Sequence, residues 1–217
     1  MDFNFTKEQQ DIKKAAREFA EREFPDAGME CDIKEEFPFD LWREACRLGM
    51  IGCFIPEEYG GAGLGITEHC CITEEFWRVD PGCGQCMISS VIGAEFIVMF
   101  GNEEQKRTYL PPLVNGEMIM GTAITEPDAG SDNLAIRTSA LKDEDDYIIN
   151  GTKTFITNGG IAQFLIVYCI TNPENRDPHD RFSMIIVETD RPGYESNKLK
   201  EKLGIRASDT SEVSFHD

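Results

Sequence analysis

The sequence predicts a multidomain α+β chain, with an all-helical domain at residues 1–117 and an antiparallel β-barrel or sandwich-like domain at residues 118–217. Three observations lead to this fold class. Apolar residues recur at helical spacing through the first half of the chain. This periodicity fades near residue 118, where β-branched residues become frequent. The length of 217 residues also fits one large or two small domains, at about 150 residues per domain.

The helices of the first half are predicted from their start and stop signals. A capping box at Thr6–Gln9 begins the first helix, because each side chain can bond the other residue's backbone N–H. Pro25 is expected to end that helix or to follow its end closely. The second helix is predicted to begin near Pro38 and to end before Gly49. The other helices are predicted at residues 67–79, at residues 85–100, and after a second capping box at Asn102–Gln105, stopping before Pro111 and Pro112.

The second half is predicted to consist of strands. Residues 146–157 are expected to form a hairpin of two short strands, because Asn150-Gly151 is a strong signal for a two-residue turn. The acidic run at residues 143–146 is predicted to be a solvated turn. Further strands are predicted at residues 164–171, 182–189 and 211–215, with a polar surface loop at residues 172–181.

The composition argues against several classes of function. The chain has 40 acidic and 21 basic residues, and its formal net charge is −19. Binding to nucleic acid or to an anionic membrane surface requires clustered Lys and Arg, and the sequence has no such cluster. No apolar stretch is expected to approach the roughly 18 residues of a membrane span. The polar N-terminus resembles neither a signal nor a transit peptide, and the scattered cysteines suggest reduced thiols, so a cytoplasmic protein is predicted.

A glycine-rich stretch at residues 60–65 is the first candidate site. Glycine-rich loops bind phosphate where they connect a strand to a helix N-terminus. Here the spacing differs from G-x-G-x-x-G and helices are predicted on both sides. We therefore interpret the stretch as a tight connection between helices.

A group of potential metal ligands is the second candidate site. It comprises His69, Cys70 and Cys71, followed by Cys83 and Cys86. Adjacent cysteines on a helix point in different directions, and a single CxxC is a weak signal. Free cysteine is also a common small buried residue. We therefore interpret these thiols as packing residues and predict no metal site.

A hydroxyl-rich loop at residues 122–132 is the third candidate site. Thr125 and Ser131 offer hydroxyl donors, and Gly130 would let the backbone approach a ligand closely. The alternative is an ordinary loop with Pro and Gly. Phe155, in the segment 155–157, could stack on a ring beside a hydroxyl, although Phe and Ile on a strand are usually core residues.

These last two segments resemble the flavin-binding signatures of the acyl-CoA dehydrogenase family. The other matching stretches follow in family order, so that the resemblance runs through essentially the whole chain. The motifs are PEEYGGAGLG (56–65), GNEEQK (101–106), ITEPDAGSD (124–132), KTFITNG (153–159) and KLGIRASDT (202–210).

The resemblance implies an FAD-dependent enzyme that oxidises an acyl-CoA thioester to the α,β-enoyl thioester. Residues 122–125 would contact the isoalloxazine edge, and Ser131 would lie near the FAD pyrophosphate and the acyl-CoA. The segment 155–157 would flank the flavin ring, with the Thr157 hydroxyl near N5. The implied cofactor-binding residues are Thr122, Ala123, Ile124, Thr125, Gly130, Ser131, Phe155, Ile156 and Thr157, with Ser131 also contacting substrate.

The resemblance further implies an electron-transferring flavoprotein as electron acceptor and a homotetramer at full length. The family's catalytic carboxylate lies in a C-terminal helical domain, which we expect to follow residue 217. We therefore assign no catalytic residue and expect this chain to be part of a longer enzyme. The chain departs from the family at Phe155, where many members have Trp, and at Asp128, where Gly is common. The added charge of Asp128 is acceptable only if the carboxylate points to solvent.

Other functions remain open on the same fold. An acyl-CoA oxidase or a flavin monooxygenase would carry the same cofactor loops and would differ in how fast reduced flavin reacts with oxygen. A truncated, non-catalytic relative would bind flavin or acyl-CoA without turnover.

Overall fold

The computed structural model describes residues 4–217, which divide into two compact units. The first unit combines the described residues up to Met118 with Lys200–Ser208, and the second combines Ile119–Leu199 with Asp209–Asp217. The chain therefore leaves the second unit after Leu199, adds residues 200–208 to the first unit, and returns to the second unit at Asp209.

The first unit is built from helices. Its longest helix begins at the predicted capping box, where Thr6 Oγ1 accepts from the Gln9 N–H and Gln9 Oε1 accepts from the Thr6 N–H. The helices are α1 (Lys7–Lys34), α2 (Phe39–Arg47), α3 (Ile66–Val79), α4 (Pro81–Ser89), α5 (Ala94–Phe100) and α6 (Glu103–Val114), with a 3₁₀ turn at Glu57–Tyr59.

Prolines do not end helices where the sequence predicted. Pro25 lies inside α1, which continues to Lys34, and Glu35 closes the helix in the left-handed conformation. Pro111 and Pro112 likewise lie inside α6. An internal proline costs roughly 3 kcal/mol. Burial of neighbouring apolar side chains offsets that cost. These side chains are Phe19 and Phe24 in α1, and Leu110, Leu113 and Val114 in α6.

The helix predicted at residues 85–100 is two helices. It begins earlier than predicted, because the Asp80 side chain caps α4 by accepting from the Cys83 N–H at 2.8 Å. It is interrupted before α5, where Gly93 has a φ of +103°. A left-handed glycine cannot continue a right-handed helix, so the periodic pattern alone overestimated its length.

Contrary to the expectation from sequence, the segment Pro81–Phe100 is long and apolar enough to meet the criterion for a membrane span. The same residues form α4 and α5 with a turn between them, and 56% of the apolar window is buried inside the protein. A buried helix pair in the core of a folded domain satisfies the same criterion, so this segment is weak support for a membrane span.

The second unit contains a curled seven-stranded sheet within the described residues. Six strands follow the order β1-β4-β2-β3-β7-β6, and β5 pairs with β4. The strands are β1 (Met120–Ala123), β2 (Ser139–Asp143), β3 (Asp146–Thr157), β4 (Phe164–Ile170), β5 (Phe182–Glu188), β6 (Tyr194–Lys198) and β7 (Thr210–Phe215).

The predicted fold class, helices followed by a β domain, is confirmed. The sheet is mixed rather than wholly antiparallel, because β4 runs parallel to β1 and to the start of β2. The strands predicted at residues 164–171, 182–189 and 211–215 correspond to β4, β5 and β7, and a short helix, α7 (Pro178–Arg181), lies in the predicted polar loop.

The predicted hairpin at residues 146–157 is wrong. The residues form one continuous strand, β3, with Asn150 paired to Ser139 and Gly151 paired to Phe215. The chain reverses instead in the acidic turn, where Glu144 has a φ of +52°. A Cβ added at Gly151 would lie 2.4 Å from Thr138 Oγ1, so the glycine permits a close approach of strands rather than a turn.

Candidate functional site

The loop that follows β1 contains the first group of predicted site residues. Thr122 and Ala123 belong to β1 and pair with β4 in parallel register. Ala123 is buried, while Thr122, Ile124 and Thr125 are half-buried. The polar side chains of this group therefore lie at the margin of the core, where a ligand can reach them.

A tight turn at residues 126–129 carries the end of this loop. Two backbone hydrogen bonds close it, from the Glu126 N–H to the Ala129 carbonyl at 2.9 Å and from the Ala129 N–H to the Glu126 carbonyl at 3.2 Å. Gly130 and Ser131 follow it and are exposed. A Cβ added at Gly130 would meet no atom within 4 Å, so the chain's own packing does not require glycine there.

Asp128, one of the departures from the family pattern, lies on the surface of this turn. Its side chain is 74% exposed and faces the Arg137 guanidinium at 3.5 Å. The carboxylate therefore points to solvent, which is the condition under which its charge is acceptable beside an anionic cofactor.

A bulge in β3 presents Phe155. Lys153 pairs with Val213 and Ile156 pairs with Ser211, so two residues of β3 oppose one residue of β7. Phe155 has a φ of +58° and its side chain is 68% exposed. A left-handed conformation is rare and costly for an aromatic residue, and such outliers cluster at functional sites.

The other two residues of this segment have different environments. Ile156 is buried and belongs to the core, while Thr157 is half-buried and pairs with Thr210. Phe155 and Thr157 are therefore the accessible members of the predicted group.

The two predicted segments lie against each other in the second unit. The Thr154 N–H donates to the Thr125 carbonyl at 2.8 Å. A Cβ added at Gly121 would lie 2.6 Å from the Thr157 carbonyl oxygen, so β1 passes in close contact with the end of β3. Asn158 extends this contact, because its side-chain amide donates to the Met120 carbonyl at 3.0 Å.

A buried ion pair connects these two segments, and the sequence patterns did not predict it. Lys153 is fully buried, and its ammonium donates to Glu126 Oε1 and to the Ile124 carbonyl, each at 2.9 Å. Burial lowers the pKa of Lys153, and the hydrogen bond to Glu126 opposes that shift. Burial alone would raise the pKa of Glu126, but hydrogen bonds from Thr138, Arg137 and Lys153 lower it below its ordinary value. The local sequence carries no signal for this burial, because Lys153 lies between Thr152 and Thr154 in a largely polar strand.

The glycine-rich stretch at residues 60–65 is a tight connection between the 3₁₀ turn and α3. Gly65 caps α3, and its N–H donates to Glu68 Oε2 at 2.9 Å. A Cβ added at Gly61 would lie 2.0 Å from the Ile55 carbonyl oxygen. Glycine is therefore required here by the chain's own backbone.

The potential metal ligands do not converge. Among residues 4–217, no group of three or more His, Cys, Asp or Glu side chains could hold a metal ion. Cys71, Cys83 and Cys86 are buried free thiols, and Cys70 is exposed. Burial raises the pKa of the Cys83 thiol to about 12, so it stays protonated, which fits a packing role.

Family models match almost the whole chain. The model described as "Acyl-CoA dehydrogenase, N-terminal domain" matches residues 6–117, and the model described as "Acyl-CoA dehydrogenase, middle domain" matches residues 121–217.

Curated relatives match the chain from end to end. Acryloyl-CoA reductase (NADH) from Anaerotignum propionicum is 38% identical, with 100% of this chain and 55% of the relative covered. The short-chain specific acyl-CoA dehydrogenase of Clostridium acetobutylicum is also 38% identical, with 100% of this chain and 57% of the relative covered. The chain thus spans about half the length of the curated relatives it matches.

Solved structures also match essentially the whole of this chain. A chain in the structure described for the electron transferring flavoprotein of Acidaminococcus fermentans has a TM-score of 0.93 and 38% identity, covering 100% of this chain and 57% of that chain. Acyl-CoA dehydrogenase complexed with FAD from Bacillus anthracis has a TM-score of 0.89 and 36% identity, covering 99% of this chain and 36% of that chain.

Proposed function

The chain belongs to the acyl-CoA dehydrogenase family, and we propose that it forms the flavin-binding part of an enzyme that removes hydrogen from the α and β carbons of an acyl-CoA thioester. Homologues in this family are FAD-dependent. The observation that carries the proposal is the contact between residues 122–131 and the bulge at Phe155, because these are the two segments that resemble the family's flavin-binding signatures.

The residues present fit an isoalloxazine ring. Phe155 offers an exposed aromatic face that the protein holds in a strained backbone conformation. Half-buried hydroxyls at Thr125 and Thr157 lie on the two neighbouring segments. A flat heteroaromatic ring needs one apolar face and polar groups at its edge, which is the set that these residues supply.

In the proposed site, residues 122–125 would bind the polar edge of the ring, and Phe155 would pack on its face. The Thr157 hydroxyl would orient the reacting end, and Ser131 would bind the pyrophosphate and the acyl-CoA. When bound, FAD supplies the acceptor for the hydride that leaves the β carbon. The protein's contribution is to hold ring and thioester in register and to exclude water. No residue among 4–217 is proposed as the base that removes the α proton.

The partners are proposed on the same basis. The substrate is an acyl-CoA, and the electron acceptor is an electron-transferring flavoprotein, supported by the match to a chain in the Acidaminococcus fermentans structure. A homotetramer and a cytoplasmic location are proposals that rest on the resemblance and on the sequence alone.

The reverse reaction, reduction of an enoyl-CoA, is the alternative that a specific observation favours. The relative from Anaerotignum propionicum is described as an NADH-dependent acryloyl-CoA reductase. The same site would then reduce an enoyl-CoA rather than oxidise an acyl-CoA. An acyl-CoA oxidase, a flavin monooxygenase and a non-catalytic binding protein remain further alternatives.

The absorption spectrum of the native protein tests these functions. We expect an oxidised-flavin spectrum that bleaches without oxygen on addition of one member of a panel of acyl-CoAs, with free CoA as the control. Bleaching by NADH, followed by recovery on addition of an enoyl-CoA, would instead indicate the reductase. Rapid recovery in air would indicate an oxidase or a monooxygenase. A protein that binds no FAD after reconstitution would contradict the proposal.

Replacing Phe155 is expected to separate cofactor binding from stability. Phe155→Gly should weaken FAD binding by up to about tenfold, because an aromatic pair contributes roughly 0.5–1.5 kcal/mol. The same change should leave thermal stability equal or higher, since glycine accepts the left-handed conformation without strain. Fluorescence titration with FAD and a thermal melt of the apoprotein measure the two effects.

The matched control is Leu141→Ala, which removes an apolar side chain of 48% exposure from β2 of the same unit. It should change neither FAD affinity nor melting temperature appreciably. Equal FAD affinity in Phe155→Gly and the unchanged protein would remove Phe155 from the proposed site.

A further inference from the structure

The ammonium of Lys153 is placed at the junction of the two proposed flavin-binding segments. The residue lies two positions before Phe155 on β3, and its side chain is fully buried. Its nitrogen bonds the Ile124 carbonyl and Glu126 Oε1, each at 2.9 Å. One buried cation therefore connects the loop after β1, through hydrogen bonds, to the strand that contains the bulge.

Glu126 extends this connection to the start of β2. Its Oε2 accepts from the Arg137 N–H at 2.7 Å, and its Oε1 accepts from the Thr138 N–H at 2.9 Å. A carboxylate that accepts backbone N–H bonds and an ammonium in the core is fully charged and rigidly held. The turn at residues 126–129 is thus fixed from both sides.

The ion pair also orients the backbone of the loop. The carbonyls of Ile124 and Thr125 both point toward β3, where Lys153 and Thr154 donate to them. Peptides throughout the described residues are trans, so the Thr125 N–H points away from the Ile124 carbonyl and from the ammonium. A cation bound at the carbonyl polarises that peptide and strengthens its N–H as a donor.

We propose that Lys153 and Glu126 are positioning residues of the flavin site. They hold residues 124–131 in register with the bulge at Phe155 and direct the Thr125 N–H outward as a strengthened donor. This inference rests on the proposed function, since it concerns the same cofactor. Stability alone does not account for the two charges, because neutral groups often replace a buried ion pair at little cost when the neighbouring hydrogen bonds are kept.

Three variants distinguish positioning from a purely structural role. Lys153→Met and Glu126→Gln each break the ion pair. The double variant Lys153→Met with Glu126→Gln removes both charges and keeps a side-chain oxygen that can accept from the backbone N–H groups of Arg137 and Thr138. The single variants should weaken FAD binding by about tenfold or more, because they leave a buried charged or polar group without its partner. The double variant should recover the melting temperature but not the FAD affinity. Wild-type FAD affinity in the double variant would overturn the inference.

Hydrogen exchange on the FAD-free protein gives a readout that does not depend on cofactor. In the single variants, the amides of residues 125–131 other than Pro127, and those of Arg137 and Thr138, should exchange faster, while those of β4 keep their protection. Unchanged exchange in the loop would overturn the inference even if the wild-type protein binds no FAD, an outcome that would separately contradict the proposed function. Glu188→Gln is the control, because it breaks an exposed 3.0 Å pair with Arg191 in the same unit. It should leave both readouts unchanged.

Discussion

Replacing Glu75 with glutamine is expected to lower the free energy of unfolding of the helical unit by about 3 kcal/mol. Glu75 lies on α3 and is 1% exposed. Its carboxylate accepts from Arg17 through two bonds of 2.8 Å and from Arg78 at 3.1 Å, and Lys13 lies at 3.4 Å. The variant would leave cations on α1 and α3 gathered around a neutral, buried amide.

The same carboxylate makes stability depend on pH in a defined window. Hydrogen bonds, first of all from Arg17, lower the pKa of Glu75 from its ordinary 4.5 to about 2. The folded state therefore favours the charged form, and its stabilisation is fully present above the ordinary pKa. It is lost as the pH falls from about 5 to about 2. The lowering of the Glu75 pKa corresponds to about 3 kcal/mol of stability, at about 1.4 kcal/mol per pKa unit.

Urea unfolding of the unchanged protein and the variant, at neutral pH and at about pH 3, measures both effects. The difference in free energy of unfolding between the two proteins should be largest at neutral pH and should become smaller in acid. Glu74→Gln is the matched control, because Glu74 also contacts Lys13 but its side chain is 65% exposed. An exposed pair contributes about 0–1 kcal/mol. Equal losses in the two variants would contradict the prediction.

The sequence predicted elements well where the signal is local. The capping box at Thr6 and the periodic residues of α3 are contained within a few turns, and the structure has both. Pro25 and Asn150-Gly151 are also local signals, for a helix end and for a turn, but tertiary contacts outweigh both. The core around Phe24 keeps α1 continuous through the proline, and pairing with Ser139 and Phe215 keeps β3 extended through Asn-Gly.

The site was predicted only in part, because its key contacts span long stretches of chain. Lys153 and Glu126 are 27 residues apart, and no periodicity relates them. The four-residue strand β1 was missed for the same reason, since its parallel partner β4 lies some 40 residues further on. The left-handed conformation of Phe155 runs against its local preference, so the family motif was the sequence signal that pointed there.

Replacing Gly61 with alanine is expected to destabilise the helical unit by about 3 kcal/mol. The new Cβ would lie 2.0 Å from the Ile55 carbonyl oxygen and 2.6 Å from the carbonyl carbon. That carbonyl cannot move away freely, because it accepts from the Gly63 N–H at 2.9 Å. A thermal melt measures the loss. The control is Gly204→Ala in the same unit, where an added Cβ meets nothing within 4 Å.

The Gly61 variant also decides between two interpretations of the glycine-rich stretch. Were residues 60–65 a phosphate loop, inorganic pyrophosphate would raise the melting temperature of the unchanged protein and not that of Gly61→Ala. We expect instead a large loss in Gly61→Ala, little change in Gly204→Ala, and no pyrophosphate effect that depends on Gly61. The Ile55 carbonyl occupies the space that a side chain would need, so the backbone contact, rather than a ligand, accounts for glycine at this position.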